Sequence, residues 1–98
     1  MPIQHTVVFR LAHPAGSPEE EAFLTDGRAA LTSIPGVEHF RINRQVSPKS
    51  DLAHQFSMVF ADDAAYQAYN DHPTHVAFVA ERWAPEVAAF QEYDFVEA

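Results

Sequence analysis

The sequence predicts an α+β fold in which helices cover one face of a four-stranded antiparallel sheet. Three observations lead to this prediction: segments whose polarity alternates with a period of two, signals that start helices, and the order in which these segments follow one another. With 98 residues, of which 47% are hydrophobic, the chain has the size and composition of one globular domain, residues 1–98.

The first strand and first helix have clear signals. Residues 3–11 alternate in polarity, which predicts a strand. Its apolar face carries Ile3, His5, Val7, Phe9 and Leu11. A helix is expected over residues 17–33, because Ser17 suits the N-cap, Pro18 suits the first turn and Glu20 can complete a capping box.

Two further strands and a short helix follow. Strands are expected at about 37–46 and 53–61. The apolar face of the third strand combines His54, Phe56, Met58 and Phe60, so a histidine begins this face as well. Acidic residues at 62 and 63 suit the start of a helix that runs to about Asn70.

The last part of the chain predicts a broken helix and a final strand. Pro73 is tolerated only in the first turn of a new helix, and Pro85 is expected to kink or interrupt that helix. A strand at about 91–96 completes the order β-α-β-β-α-α-β, which matches the ferredoxin-like split βαβ plan. In this plan the apolar faces of the first and third strands lie under the helices, and the opposite, mixed face of the sheet is open.

Composition excludes several classes of function. The formal net charge is −8, with 14 acidic against 6 basic residues, so we expect neither nucleic acid nor a membrane surface as a partner. There is no cysteine, which excludes disulfides and thiolate chemistry. We see no secretory signal and no bilayer-spanning apolar run, and we expect a cytoplasmic protein.

Three segments resemble the stress-responsive dimeric α/β-barrel (Dabb) family. They are His5-Thr6-Val7-Val8-Phe9, Ile34-Pro35-Gly36-Val37 and Tyr69-Asn70-Asp71-His72-Pro73-Thr74-His75-Val76. The resemblance covers nearly the whole length, and its His-Pro-x-His-Val element is the most specific part. It implies a homodimer, or a higher oligomer, in which two sheets close into a barrel and cover the open face.

The resemblance also implies a site. Some plant members, similar to olivetolic acid cyclase, close a poly-β-ketone by intramolecular aldol condensation, and by position His5, His54, Tyr69 and His75 match their four site residues. A helix N-terminus disfavours a charged imidazolium, so His75 could act as a neutral base. Tyr69 could donate a hydrogen bond, and His5 and His54 could bind the ligand from the sheet.

Other interpretations of the histidines stay open. A buried histidine at a strand end often binds only a backbone carbonyl or a neighbouring side chain. His72 is expected to be a cap or turn residue, and His13 and His39 solvated or inter-subunit surface. His72 and His75 are spaced like metal ligands, but no further ligand cluster accompanies them, and we expect neither a metal nor a cofactor.

Three functions remain open at this point. The first is a dimeric barrel that binds a small apolar or phenolic molecule and acts as a cofactor-free cyclase, lyase or isomerase on a β-carbonyl or phenolic compound. The second is a non-catalytic stress-response protein whose stable oligomer is the function. The third, by analogy of fold alone, is a relative of cofactor-independent monooxygenases or haem-degrading enzymes.

Overall fold

A computed structural model describes residues 1–98. Its elements are β1 (Ile3–Leu11), α1 (Pro18–Thr32), β2 (Glu38–Arg44), β3 (His54–Phe60), α2 (Asp63–Asp71), α3 (Pro73–Phe78), a π-helical turn (Val79–Trp83), α4 (Ala84–Glu86) and β4 (Val87–Phe95). The sheet order is β2-β3-β1-β4, and all neighbouring strands are antiparallel. The predicted ferredoxin-like α+β fold is therefore confirmed. No helix has both the length and the apolar character that a membrane span requires.

The core lies between the sheet and the helices, as the alternating segments predict. It consists of Val7, Phe9, Leu11, Phe23, Leu31, Ile34, Phe56, Met58, Phe60, Tyr69 and Phe78. Phe9, near the end of β1, is fully buried, and its ring lies 4.8 Å from that of Phe56 and 4.9 Å from that of Trp83. The core of the domain is thus largely an aromatic cluster.

A glycine lets α1 lie close to this cluster. Gly27 is buried on the inner side of α1, and a Cβ atom built there would lie 2.9 Å from Cζ of Phe56. Real Cβ atoms do not come this close, so a side chain at position 27 would require the buried Phe56 ring or α1 to shift. The rings of Phe23 and Phe56, stacked at 6.2 Å, occupy the space beside this contact.

The start of β4 is the main correction to the predicted elements. The sequence predicts a strand from about residue 91, but β4 begins at Val87 and pairs there with Leu11 of β1. Val87-Ala88-Ala89 carries little intrinsic β signal, so its strand conformation comes from this pairing, which is a tertiary effect. The backbone N–H of Ala12 also donates to the carbonyl of Glu86 and ties the two segments together.

The interruption expected at Pro85 takes the form of a widened turn. The N–H of Ala84 donates to the carbonyl of Val79, five residues back, so one extra residue is accommodated before Pro85. Since proline has no N–H and its ring clashes with the preceding turn of a regular helix, the wider turn relieves this conflict. After this turn, Trp83 packs inward against Phe9 of β1 and Phe90 of β4.

Candidate functional site

A cavity of about 340 Å³ lies between the sheet and the segment α2–α3 with its π-helical turn. Ten of its 14 lining residues are hydrophobic. The polar or hydroxyl-bearing groups of its wall are His5, Tyr66, Tyr69, Asn70, His75 and Glu92. Its volume and mainly apolar lining are typical of sites for small organic molecules.

His75, the third residue of α3, lines this cavity. Its Nδ1 lies 3.1 Å from the backbone carbonyl of Asn70. A carbonyl only accepts, so Nδ1 carries the proton of the neutral ring and Nε2 keeps a free lone pair. Burial lowers the pKa of His75 below its ordinary value of 6.5, and the hydrogen bond to Asn70 only partly offsets this. His75 is therefore a neutral proton acceptor at neutral pH.

Tyr69, in the last turn of α2, packs against His75 and is buried. The two ring centroids are 4.4 Å apart. Burial raises the pKa of Tyr69 well above its ordinary value, and the nearby Glu92 carboxylate raises it further. The Tyr69 hydroxyl makes no hydrogen bond within the chain, and its oxygen is not fully buried. It is thus a protonated phenol that is free to donate to a ligand.

His5, on β1, forms the opposite polar wall. Its Nδ1 lies 2.6 Å from Oδ1 of Asp94 on β4 and 2.9 Å from the Tyr66 hydroxyl. The Tyr66 hydroxyl donates to the other carboxylate oxygen of Asp94 at 3.0 Å. Asp94 thus fixes the orientation of the His5 ring, whose Nε2 carries no hydrogen bond within the chain. Burial and the Asp94 carboxylate both raise the pKa of Tyr66, so this phenol also stays protonated.

The structure brings His5, Tyr69 and His75 together but not His54. His54 is absent from the cavity wall, and its Nε2 lies 3.2 Å from Oε2 of Glu20 at the start of α1. In the sheet His54 is opposite Phe9, whereas His5 is opposite Met58, so the two histidines stand at different ends of the apolar face. The expectation that His54 shares the site is therefore corrected: its contact joins β3 to α1.

Glu20, which binds His54, also takes part in a modified capping box at the start of α1. Ser17 accepts from the N–H of Glu20 as predicted, but the Glu20 carboxylate accepts from the N–H of Gly16 rather than Ser17. Burial raises the pKa of Glu20, yet the hydrogen bonds from Gly16 and His54 outweigh it and the net pKa lies below 4.5. The pair is thus a structural contact at the N-terminus of α1.

The remaining histidines lie outside the cavity. His72 caps α3, since its Nδ1 accepts from the N–H of Thr74, which confirms the expected cap. His39 is exposed, in a strand irregularity with φ of 52°. His13 is not simply solvated surface, because its Nε2 lies 2.7 Å from a carboxylate oxygen of Glu86. No group of His, Asp or Glu side chains is arranged to hold a metal ion.

Comparison with known proteins gives the family. The model of the Stress responsive A/B Barrel Domain (Dabb) matches residues 3–97. The chain belongs to this family. Among solved structures, a Dabb family protein with a ferredoxin-like fold from Mesorhizobium loti is 56% identical, with a TM-score of 0.98 over 99% of this chain and 97% of that chain. No curated protein sequence matches the chain.

Two more distant structures share the fold of this Dabb domain. A dimeric ferredoxin-like protein of unknown function from Thermobifida fusca is 22% identical, with a TM-score of 0.79 over 99% of this chain and 92% of that chain. A hydroxynitrile lyase from Passiflora edulis is 14% identical, with a TM-score of 0.84 over 99% of this chain and 94% of that chain. At these identities the likeness establishes the fold alone.

Three site residues of the Dabb domain are missed by sequence reasoning. Tyr66 could have been found, because it precedes Tyr69 by three residues and so shares its helix face. Glu92 and Asp94 alternate with Phe90 along β4, which places all three on one face. Only the pairing of β4 with β1, a long-range contact, shows that this is the face of His5.

Proposed function

We propose that the protein is a cofactor-free acid–base enzyme that forms or breaks a carbon–carbon bond beside the carbonyl of a small apolar compound. The observation that carries this proposal is that one mainly apolar cavity is lined by His75, whose Nε2 makes no hydrogen bond within the chain, and by Tyr69, whose hydroxyl has no partner. A base and an oxyanion donor are the two groups such a reaction requires.

In the direction of bond formation, His75 Nε2 accepts a proton from the carbon next to a carbonyl. Tyr69 donates a hydrogen bond to the enolate oxygen that develops. The carbanion then attacks a second carbonyl, and the resulting alkoxide takes back the proton held by His75. This is the aldol closure that the resemblance to olivetolic acid cyclase implies.

In the direction of bond cleavage, the same groups act in reverse order. His75 Nε2 accepts the proton of a hydroxyl, the carbonyl forms as the adjacent carbon–carbon bond breaks, and the departing enolate or cyanide takes up a proton. We include bond cleavage in the proposal because the Passiflora edulis hydroxynitrile lyase has the same fold. Oxygen activation and haem are not needed for either direction.

His5 binds the other end of the ligand in this proposal. Its ring centroid is 6.3 Å from that of Tyr69, so one small molecule can contact both rings. Asp94 holds the His5 ring through Nδ1, which leaves Nε2 available for a hydrogen bond with the ligand. The ligand is thus held between the α2–α3 wall and the β1–β4 wall.

A panel of three substrates tests the proposal: the cyanohydrin mandelonitrile, the β-hydroxyketone 4-hydroxy-4-phenylbutan-2-one and a linear β-triketone. Cleavage of the first two releases benzaldehyde, which is followed by its ultraviolet absorbance, and cyclisation of the third is followed by chromatography. We expect turnover of at least one, above the rates in buffer and with heat-denatured protein. If none reacts, the enzyme proposal is wrong and the non-catalytic stress-response function takes its place.

We also propose that two chains pair through the open face of the sheet. Tyr93 and Phe95 stack at 6.0 Å on this face, yet 47% and 50% of their surfaces are exposed. Covering them removes apolar surface and the open sheet face from water. Light scattering is expected to give twice the 11.0 kDa mass of the chain, and a single-chain mass at micromolar concentration would contradict the pairing.

A further inference from the structure

The charges around the cavity have one sign. Glu92 is the one acidic residue of the wall, and neither arginine nor lysine is part of the wall. His75 is neutral, as argued above from its burial. The carboxylate of Asp94 lies directly behind His5 and offsets any positive charge on that ring. A negatively charged ligand would therefore meet no uncompensated cation in the cavity.

Glu92 is placed to act on a ligand rather than on the fold. In the sheet it is opposite Val7, next to the His5–Asp94 pair, and its side chain is on the cavity side of β4. It is solvent-exposed and makes no side-chain hydrogen bond or ion pair in the structure. Its negative charge also acts across the cavity: burial is the main cause of the raised pKa of Tyr69 and of Tyr66, and the Glu92 carboxylate raises both further.

We infer that Glu92 makes this cavity selective for uncharged carbonyl compounds against carboxylates of the same size. The inference deepens the proposed function, because it takes the cavity to be the substrate site. A carboxylate that enters loses hydration, gains no cation and is repelled by Glu92, whereas a ketone or aldehyde loses little hydration and still accepts from Tyr69. Since this repulsion acts at a partly solvated site, we expect it to change affinity by about tenfold.

Acetophenone and benzoate are suitable probes, because they have nearly the same shape and differ in charge. Trp83 is the only tryptophan of the chain and lines the cavity, so its fluorescence reports binding. At about pH 7.5, where benzoate is fully ionised, we expect the dissociation constant of benzoate to exceed that of acetophenone by at least about tenfold.

The decisive variant is Glu92→Gln, which keeps the size of the side chain and removes its charge. It should tighten benzoate binding by about tenfold and change acetophenone binding by less than about twofold. Glu21→Gln is the matched control: it removes the same charge from an exposed position in the first turn of α1, outside the cavity. This control should leave benzoate binding unchanged, which separates a local effect from one of net charge.

The outcomes distinguish this inference from the proposed function. Equal binding of both probes to the unmodified protein, or unchanged benzoate binding in Glu92→Gln, would overturn the inference. Failure of both probes to bind would overturn the inference and the assignment of the cavity as a ligand site. Selective binding of acetophenone without turnover of any substrate in the panel would support the inference and would refute the proposal that the protein is an enzyme.

Discussion

Replacing His75 with alanine is expected to lower kcat/KM by at least about 100-fold on any substrate that the unmodified protein turns over. The variant loses the neutral imidazole of α3, which lines the cavity and keeps a lone pair on Nε2. Tyr69 stays protonated and cannot replace it as a base. Steady-state kinetics on the benzaldehyde-releasing substrates measures the change directly.

Two controls separate lost chemistry from a damaged fold. His39→Asn removes an exposed histidine outside the cavity, and asparagine tolerates the positive φ of this position, so its kinetics should match those of the unmodified protein. Added imidazole should restore part of the activity of His75→Ala, since it can occupy the vacated space and accept the proton. A variant that keeps its activity within about threefold would show that His75 is not the base.

Replacing Phe9 with alanine is expected to lower the free energy of unfolding by about 3–5 kcal/mol. Phe9 is fully buried, and its ring contacts those of Phe23, Phe56 and Trp83. The void would lie at the centre of the aromatic cluster, where β1, β3 and the helices meet, so the neighbours cannot collapse into it without separating the layers. Urea denaturation of both proteins at one fixed protein concentration measures this loss of free energy of unfolding.

Phe90→Ala is the matched comparison for this loss. Phe90 lies opposite Phe9 on the neighbouring strand, but 51% of it is exposed. Phe90→Ala should therefore lower the free energy of unfolding by less than about half as much as Phe9→Ala does. If the two variants lose equal stability, or Phe9→Ala loses less than about 1 kcal/mol, the aromatic cluster is not the centre of the core.

The fold could be predicted where local signals decide it. The alternation in β1 and β3 gives the buried face correctly, and the cap at Ser17 gives the start of α1. The start of β4 could not be predicted, because residues 87–89 become a strand only by pairing with the end of β1. The π-helical turn before Pro85 likewise follows from how the segment packs rather than from its composition.

The site could be predicted only in part, for a related reason. Alternation tells which face of a strand a histidine occupies, but not where along the sheet it stands. His5 and His54 share a face and still lie at different ends of it, since β1 and β3 run in opposite directions. Asp94, which fixes His5, is 89 residues further along the chain and is brought there by the sheet order.

The most direct test of the account is a nuclear magnetic resonance titration of the His75 ring in the unmodified protein, with and without acetophenone. Because its pKa in the folded state lies below 6.5, the ring should gain its proton only as the pH falls below that value. At neutral pH we expect a neutral ring with the proton on Nδ1, an unprotonated Nε2, and a shift of the Nε2 signal when acetophenone is added. A pKa above 6.5, a proton on Nε2 or a signal that acetophenone leaves unchanged would contradict the assignment of His75 as the base of a carbonyl-binding site.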